Sequence, residues 1–381
     1  MNLKFSRIFD KYIGSFALIG CTLFRRISKS RSDGAENKIK RILVIKLFGI
    51  GDSLLILPAL RALKIQGQNI EIYTLSSNKN AFIFEHSNDV TFSFCIRFDA
   101  HHLGAFIQTI SRIRSLGIDY AFDFGFTPNI SALIACLTRS RQIIGFTTNR
   151  VKRFVFSDTY SIDGKEHTMM SYFNLVRLIF RDLKVSKDLD FNVKTNGVRA
   201  SLSQKIGVRN LEDDNFVGIH PCSLESGTIA KHWLVERYAL LADELIERYN
   251  VKVIFTGTLK ETLFIKKIMG LMKYESSSMA GKTNIKELIA LLKSLKLFIA
   301  IDSGPMHLAS ALQVPTIGIF GHDTPARYGP VWGSCESIYK PPPCSPCSKT
   351  YLGQWGLCDD PICMKMIHVA DIVNKADTYL K

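Results

Sequence analysis

The sequence predicts an α/β protein with two doubly wound parallel sheets, and three observations lead there. From residue 41 onward, short β-branched runs alternate with amphipathic stretches, which is the signature of βαβ units. A polar stretch, "KTNGVRASLSQKIGVRNLEDDN" (194–215), interrupts that alternation once, after which it restarts. The chain has 381 residues, more than one ordinary core serves, with 46% hydrophobic and 22% charged residues in a globular balance.

The elements follow in order. "RILVIKL" (41–47) reads as a buried parallel strand and "DSLLILPALRALK" (52–64) as the helix after it. "IEIYTL" (70–75), "DYAFDFG" (119–125) and "RQIIGF" (141–146) are further strands, with helical pattern between them. After the polar stretch come strand "FVGIH" (216–220), helix "LVERYALLADELIERY" (234–249), strand "VKVIFTG" (251–257) and helix "ETLFIKKIMGLM" (261–272). "IKELIALLKSL" (285–295) is helical, and "KLFIAID" (296–302) and "VPTIGIFG" (314–321) are strands. The organisation is thus a segment 1–40, an α/β half 41–200 and a second half 201–381. In such sheets a ligand sits at the strand carboxyl ends, in the cleft between the halves.

The formal net charge of +15 favours an acidic partner: nucleic acid, an anionic membrane surface or a phosphorylated substrate. Residues 1–41 hold ten Lys or Arg against three Asp or Glu. A second basic cluster, Arg139, Arg141, Arg150, Lys152 and Arg153, contains no acid. Neither has the interleaved aromatics and glycines of an RNA-binding sheet, so nucleic acid is not expected as a partner. The apolar run "YIGSFALIGCTLF" (12–24) is shorter than the roughly 20 residues a spanning helix needs. It ends in "FRRISKSR" rather than in a cleavage site. Two readings stay open for it: a helix on an anionic membrane surface, or one docked on the protein body.

Four motifs carry chemistry. "GIGD" (Gly49 to Asp52) stands at a strand-to-helix turn, but Leu54 replaces the third glycine of a dinucleotide fingerprint. Asp52 would also repel a pyrophosphate from the helix start. Asp52 or Ser53 fits a helix N-cap, and Asp52 equally fits a general base approached through the Gly49 and Gly51 loop; the roles can coexist. In "IDSGPMHLASALQVPTIGIFG" (301–321), a strand ends at Asp302 and Ser303-Gly304-Pro305 turns into a helix over Met306 to Leu312. Pro near the helix start and the free N–H groups make an anion site that His307 can reach, unless His307 is simply a structural histidine. "HPCSLESGTIAKHW" (220–233) offers Ser223, Ser226, Thr228 and Lys231 to phosphate oxygens, or is an ordinary polar loop. "TGTLKE" places Glu261 where an acid can meet ribose hydroxyls, or merely favours the helix dipole.

In this order and spacing the motifs resemble glycosyltransferase family 9, the lipopolysaccharide heptosyltransferases. "GIGDSLLILPAL", "HPCS…AKHW", "TGTLKE" and above all "DSGPMHLASALQVPTIGIFG" followed by "TPARYGP" (324–330) carry the likeness, over roughly residues 40 to 375. The resemblance implies a GT-B fold: two facing Rossmann-like domains, with acceptor bound on 41–200 and nucleotide-sugar on 201–381. It implies inverting transfer with no cofactor or essential metal, ADP-heptose as the default donor and a phosphorylated glycolipid as acceptor. The cytoplasmic face of a Gram-negative inner membrane is the implied location.

Matched residue by residue, Asp52 corresponds to the catalytic base, Lys231 to the lysine on the donor phosphates and Glu261 to the nucleoside contact. Asp302, Ser303, Gly304, Pro305, Met306 and His307 form the donor-binding turn, with Ser223 a further candidate. Lys46, Arg150, Lys152 and Arg153 are candidate acceptor contacts. "GHDTPARYGP" departs from the usual Gly-Pro-Thr-Asp-Pro pattern, and the loop Pro221 to Lys231 is long. A nucleotide-sugar epimerase and a non-catalytic nucleotide-sugar-binding protein are the alternatives.

Of nine cysteines, four cluster as Cys344-x2-Cys347-x10-Cys358-x4-Cys363. That spacing resembles a zinc or iron–sulfur site, but similar tails occur in this family without implying a metal. Free or reversibly oxidised thiols are the expected state.

Overall fold

The computed structural model describes residues 39–381, except 68, 99, 127–128, 148–149, 210, 212–214, 224–230, 350–351, 353 and 355–357. The apolar run 12–24 and the hydroxyls Ser226 and Thr228 therefore lie outside the described residues. The chain divides into two compact units between Asn192 and Val193, with Leu352 and Gln354 grouped with the first.

The first unit is built on six parallel strands: β1 (Lys40–Ile45), β2 (Ile70–Ser77), β3 (Phe92–Ile96), β4 (Tyr120–Asp123), β5 (Gln142–Phe146) and β6 (Asp158–Tyr160). Their order is β3-β2-β1-β4-β5-β6, with every neighbouring pair parallel. The direction of strand addition reverses between β1 and β4. Ile42 to Ile45 of β1 are buried on both faces, which is why that run is uniformly β-branched or aliphatic. The helix Ile50–Gln66 that returns from β1 buries Leu54, Leu55, Ile56, Leu57, Leu60 and Leu63. Its N-cap is Gly49, with no side-chain cap; Asp52 lies within the first turn, so neither Asp52 nor Ser53 is the cap.

The second unit repeats the plan with β7 (Phe216–His220), β8 (Lys252–Phe255), β9 (Ser277–Ser278), β10 (Leu295–Ile301), β11 (Thr316–Phe320) and β12 (Cys335–Tyr339). The order β12-β11-β10-β7-β8-β9, again all parallel, is the first sheet's topology with the strands renumbered. Here the reversal falls between β7 and β10. Trp233 and Tyr238 meet edge to face at 5.0 Å in its core, and the Trp233 Nε1–H donates to the Ile367 carbonyl. That bond ties the carboxyl-terminal segment down. The helix expected over 261–272 is preceded by a 3₁₀ turn, Leu259–Glu261, and runs Thr262–Met269. The donor-turn helix starts earlier than its sequence pattern, at Gly304, and ends at Ala311.

Candidate active site

In a doubly wound sheet, strands on either side of the reversal diverge at their carboxyl ends and leave a crevice there. Both units place their polar clusters at that point. In the first unit, the chain leaves β1 at Ile45 and turns through Gly49, whose φ of +93° only glycine adopts readily. A Cβ at Gly49 would lie 2.7 Å from Asp52 Oδ2, so the glycine also makes room for the carboxylate. Asp52 Oδ2 is 3.2 Å from Lys46 Nζ, and the carboxylate's side chain is 28% exposed. Asn80, buried completely, braces this turn: its Nδ2 donates to the Lys46 carbonyl at 2.9 Å and to Ser53 Oγ at 2.8 Å. Ser53 Oγ in turn donates to the Gly49 carbonyl at 2.7 Å. Gly51 is buried in the first helical turn.

The basic residues offered as acceptor contacts are not a common surface. Lys46 is 4% exposed and Lys152 is fully buried. Lys152 Nζ donates to the Gly125 carbonyl at 2.9 Å and lies 3.8 Å from Asp123 Oδ2. Asp123 also accepts from Gly125 N and Ser131 Oγ, and its burial pushes its carboxyl up despite the Lys152 charge. Both lysines therefore hold loops at the sheet's end instead of reaching outward, because an ammonium so buried must find oxygens. Arg153 is exposed; the side chain of Arg150 lies outside the described residues.

In the second unit, β10 delivers Asp302 and Ser303 to the reversal point. Lys231 Nζ donates to the Asp302 carbonyl at 3.2 Å and to its Oδ2 at 3.1 Å. Burial would raise the Asp302 carboxyl, but the charges of Lys231, His322 and His307 outweigh it and hold the group below its ordinary value. Ser303 is the N-cap of the helix Gly304–Ala311, and Pro305 stands in its first turn. The Ser303 side chain makes no cap bond, and its buried Oγ has no hydrogen-bond partner among the described residues. That hydroxyl and the helix dipole at the Gly304 turn suit an anion.

The remaining candidates divide. His307 is 4% exposed and lies near enough to act on the Asp302 charge. Met306 is completely buried, and a Cβ on Gly318 of β11 would lie 2.8 Å from its Sδ, so Met306 packs the helix onto the sheet. Glu261 is 2% exposed; its Oε2 accepts from Thr258 N at 2.6 Å in a reciprocal capping box. Its negative charge also acts on His220, Cys222 and His232. Ser223 is half-buried and its backbone N–H donates to His232 Nε2 at 3.4 Å.

Sequence reasoning missed Asn80, His322 and Asp323. His322 is 3% exposed with an Nε2 that has no partner among the described residues, and Asp323 is 2% exposed, 3.6 Å from Arg327 Nη1. The signal was present in "GHDTPARYGP", the very stretch that departs from the family pattern. Nothing in "SSNKNAF" marks Asn80. In the Asp-x-Asp pair Asp188 and Asp190, the Asp190 carboxylate accepts from Asn88 N and Nδ2 at 3.0 and 3.2 Å.

The four tail cysteines are free thiols, with Cys344 and Cys347 exposed and Cys363 buried. Burial raises the Cys347 and Cys363 thiols, and the neighbouring thiols raise them further. Among the described residues, no group of three or more His, Cys, Asp or Glu is arranged to hold a metal ion.

Two parallel sheets of this repeated topology are the GT-B fold, and a solved structure of that class agrees. Escherichia coli ADP-heptose LPS heptosyltransferase II superimposes with a TM-score of 0.69 at 18% identity, covering 89% of this chain and 98% of that one. The model of glycosyltransferase family 9 (heptosyltransferase) matches residues 120–353, and the chain belongs to this family. Lipopolysaccharide core heptosyltransferase OpsX of Haemophilus influenzae is 36% identical over 114 residues, 29% of this chain and 32% of OpsX. Lipopolysaccharide heptosyltransferase 1 of Campylobacter coli is 26% identical over 291 residues, 74% of this chain and 84% of that protein.

Proposed function

We propose that this protein transfers heptose from ADP-heptose to a hydroxyl of a lipopolysaccharide core acceptor, with inversion at the anomeric carbon and without a metal. Asp52 is the general base. The observation that carries this reading is the glycine turn at the β1–β4 reversal, which presents a carboxylate with one oxygen held by Lys46 and the other unpartnered among the described residues. In the reaction the acceptor O–H gives its proton to Asp52, the acceptor oxygen bonds to the anomeric carbon, and ADP leaves with the electron pair.

Negative charge then grows on the departing diphosphate. Lys231 has three N–H donors, two of which address Asp302, so among the described residues one remains for a phosphate oxygen. The Ser303 hydroxyl and the N–H groups of the Gly304 turn add to it. The donor class is supported by the relatives' names and by these groups together. The acceptor is a phosphorylated glycolipid at the cytoplasmic face of the inner membrane, a reading supported by the net charge of +15 and by the lipopolysaccharide relatives. No described helix is long and apolar enough to cross a membrane.

Incubation of the purified protein with ADP-heptose, a lipopolysaccharide core acceptor and excess chelator tests the whole reading. The expected product carries heptose in the anomeric configuration opposite to the donor's, as read by NMR coupling constants. Donor turnover without acceptor would instead indicate an epimerase, and binding without any turnover a non-catalytic protein.

A further inference from the structure

Lys46 is one of the four residues that sequence assigns to the acceptor, and the structure removes it from the surface. Its ammonium has three N–H groups and meets three oxygens: Asp52 Oδ2 at 3.2 Å, the Phe124 carbonyl at 3.2 Å and Tyr172 Oη at 3.1 Å. The rings of Phe126 and Tyr172 lie 5.2 and 5.4 Å from it, which adds cation–π attraction. Tyr172 and Phe126 are buried, so the cage closes on the side away from Asp52, the one partly exposed partner. The neighbouring acid, Asp123, faces Lys152, Gly125 N and Ser131 Oγ, which leaves Asp52 as the carboxylate within ion-pairing distance of Lys46.

We propose that Lys46 is a positioning residue: it fixes Asp52 by Oδ2 so that Oδ1 alone is presented to the acceptor hydroxyl. This rests on the assignment of Asp52 as base. An aspartate on a helix start has two soft side-chain torsions, and an unanchored carboxylate samples several of them. Here one contact acts on Oδ2 and two features hold the turn around it: the buried ammonium attracts Oδ2, Gly49 leaves the carboxylate its space, and Asn80 ties the Lys46 carbonyl to Ser53. A proton-transfer partner held this way is pre-aligned, and misplacement by about 1 Å can cost on the order of 100-fold in rate. Lysine suits the task better than arginine because its compact charge offers three donors in three directions.

The test is a double-mutant cycle on the transfer reaction. Lys46→Met is expected to lower kcat by about 10- to 100-fold while the KM values for donor and acceptor stay within about twofold of wild type. In the Asp52→Asn background the same change should have no further effect, because the group it positions is already disabled. Lys46→Arg should recover part of kcat. A raised acceptor KM with unchanged kcat would overturn the proposal in favour of a direct acceptor contact. An equal additional loss in the Asp52→Asn background would overturn it in favour of a structural role alone. If Lys46→Met does not fold, Lys46→Gln, which keeps a hydrogen-bond donor in the cage, carries the same cycle. Near wild-type transfer by Asp52→Asn on its own would mark failure of the base assignment, a result separate from any behaviour of Lys46.

Discussion

His322 and Asp323 show how far single residues in the second unit depart from ordinary titration. Burial pushes Asp323 up to about 7, helped by the Asp302 charge and opposed by Arg327. Burial and the Lys231 charge push His322 down to about 4. The consequences for stability have opposite signs. Asp323 binds its proton more tightly folded than unfolded, so its contribution is present at low pH and is lost as pH rises from about 4 to about 7. His322 binds its proton less tightly when folded, so its contribution is present above pH 6.5 and is lost as pH falls toward 4. Each is worth on the order of 2–4 kcal/mol, and between pH 4 and 6.5 they oppose each other. Asp323→Asn should therefore make the melting temperature climb more steeply with pH over that range. His322→Asn should make it fall instead. Melting curves for both variants that run parallel to wild type across pH 4–7 would contradict these environments.

Turns and strand ends decide the rest of the chemistry. Gly49→Ala must adopt a φ near +93° and place a Cβ 2.7 Å from Asp52 Oδ2. The expected cost is roughly 1–3 kcal/mol of stability, with loss of transfer larger than any loss of donor affinity, checked by calorimetry and by initial rates. At this scale the sequence is most legible in the interior strands, β1, β2, β4, β5, β7, β8, β10 and β11, because burial on both faces favours β-branched and aliphatic residues along the run. It is least legible at the sheet edges. β3 alternates buried and exposed positions, β6 has three residues, and β9 is only Ser277–Ser278. Runs of two to five residues are too short for a periodic signal to stand out. The start of the helix after β1 is hard to read for a local reason. The sequence offers Asp52 and Ser53 as caps, but the tight glycine turn begins the helix two residues earlier, where backbone geometry rather than a side chain sets the start. The motifs mark where the polar residues gather; whether a lysine such as Lys46 or Lys152 points outward depends on tertiary packing, and no local pattern records that.

Across the whole molecule, one topology used twice gives two polar clusters of opposite character. The first unit presents a carboxylate, Asp52, and the second gathers Lys231, Ser303 and the Gly304 turn, groups that suit an anion. The family and the fold were readable from motif order over most of the chain, since each motif follows an interior strand. The central claim is the division of labour between the units: donor held by the second, proton removed by the first. Asp52→Asn isolates it. The amide oxygen can still accept from Lys46, so the variant does not strand a buried charge as alanine would. The decisive measurement is ADP-heptose affinity and transfer rate on that one variant, side by side with wild type. The account predicts unchanged donor affinity with transfer lowered by roughly 10²- to 10⁴-fold; transfer within a few-fold of wild type would contradict it.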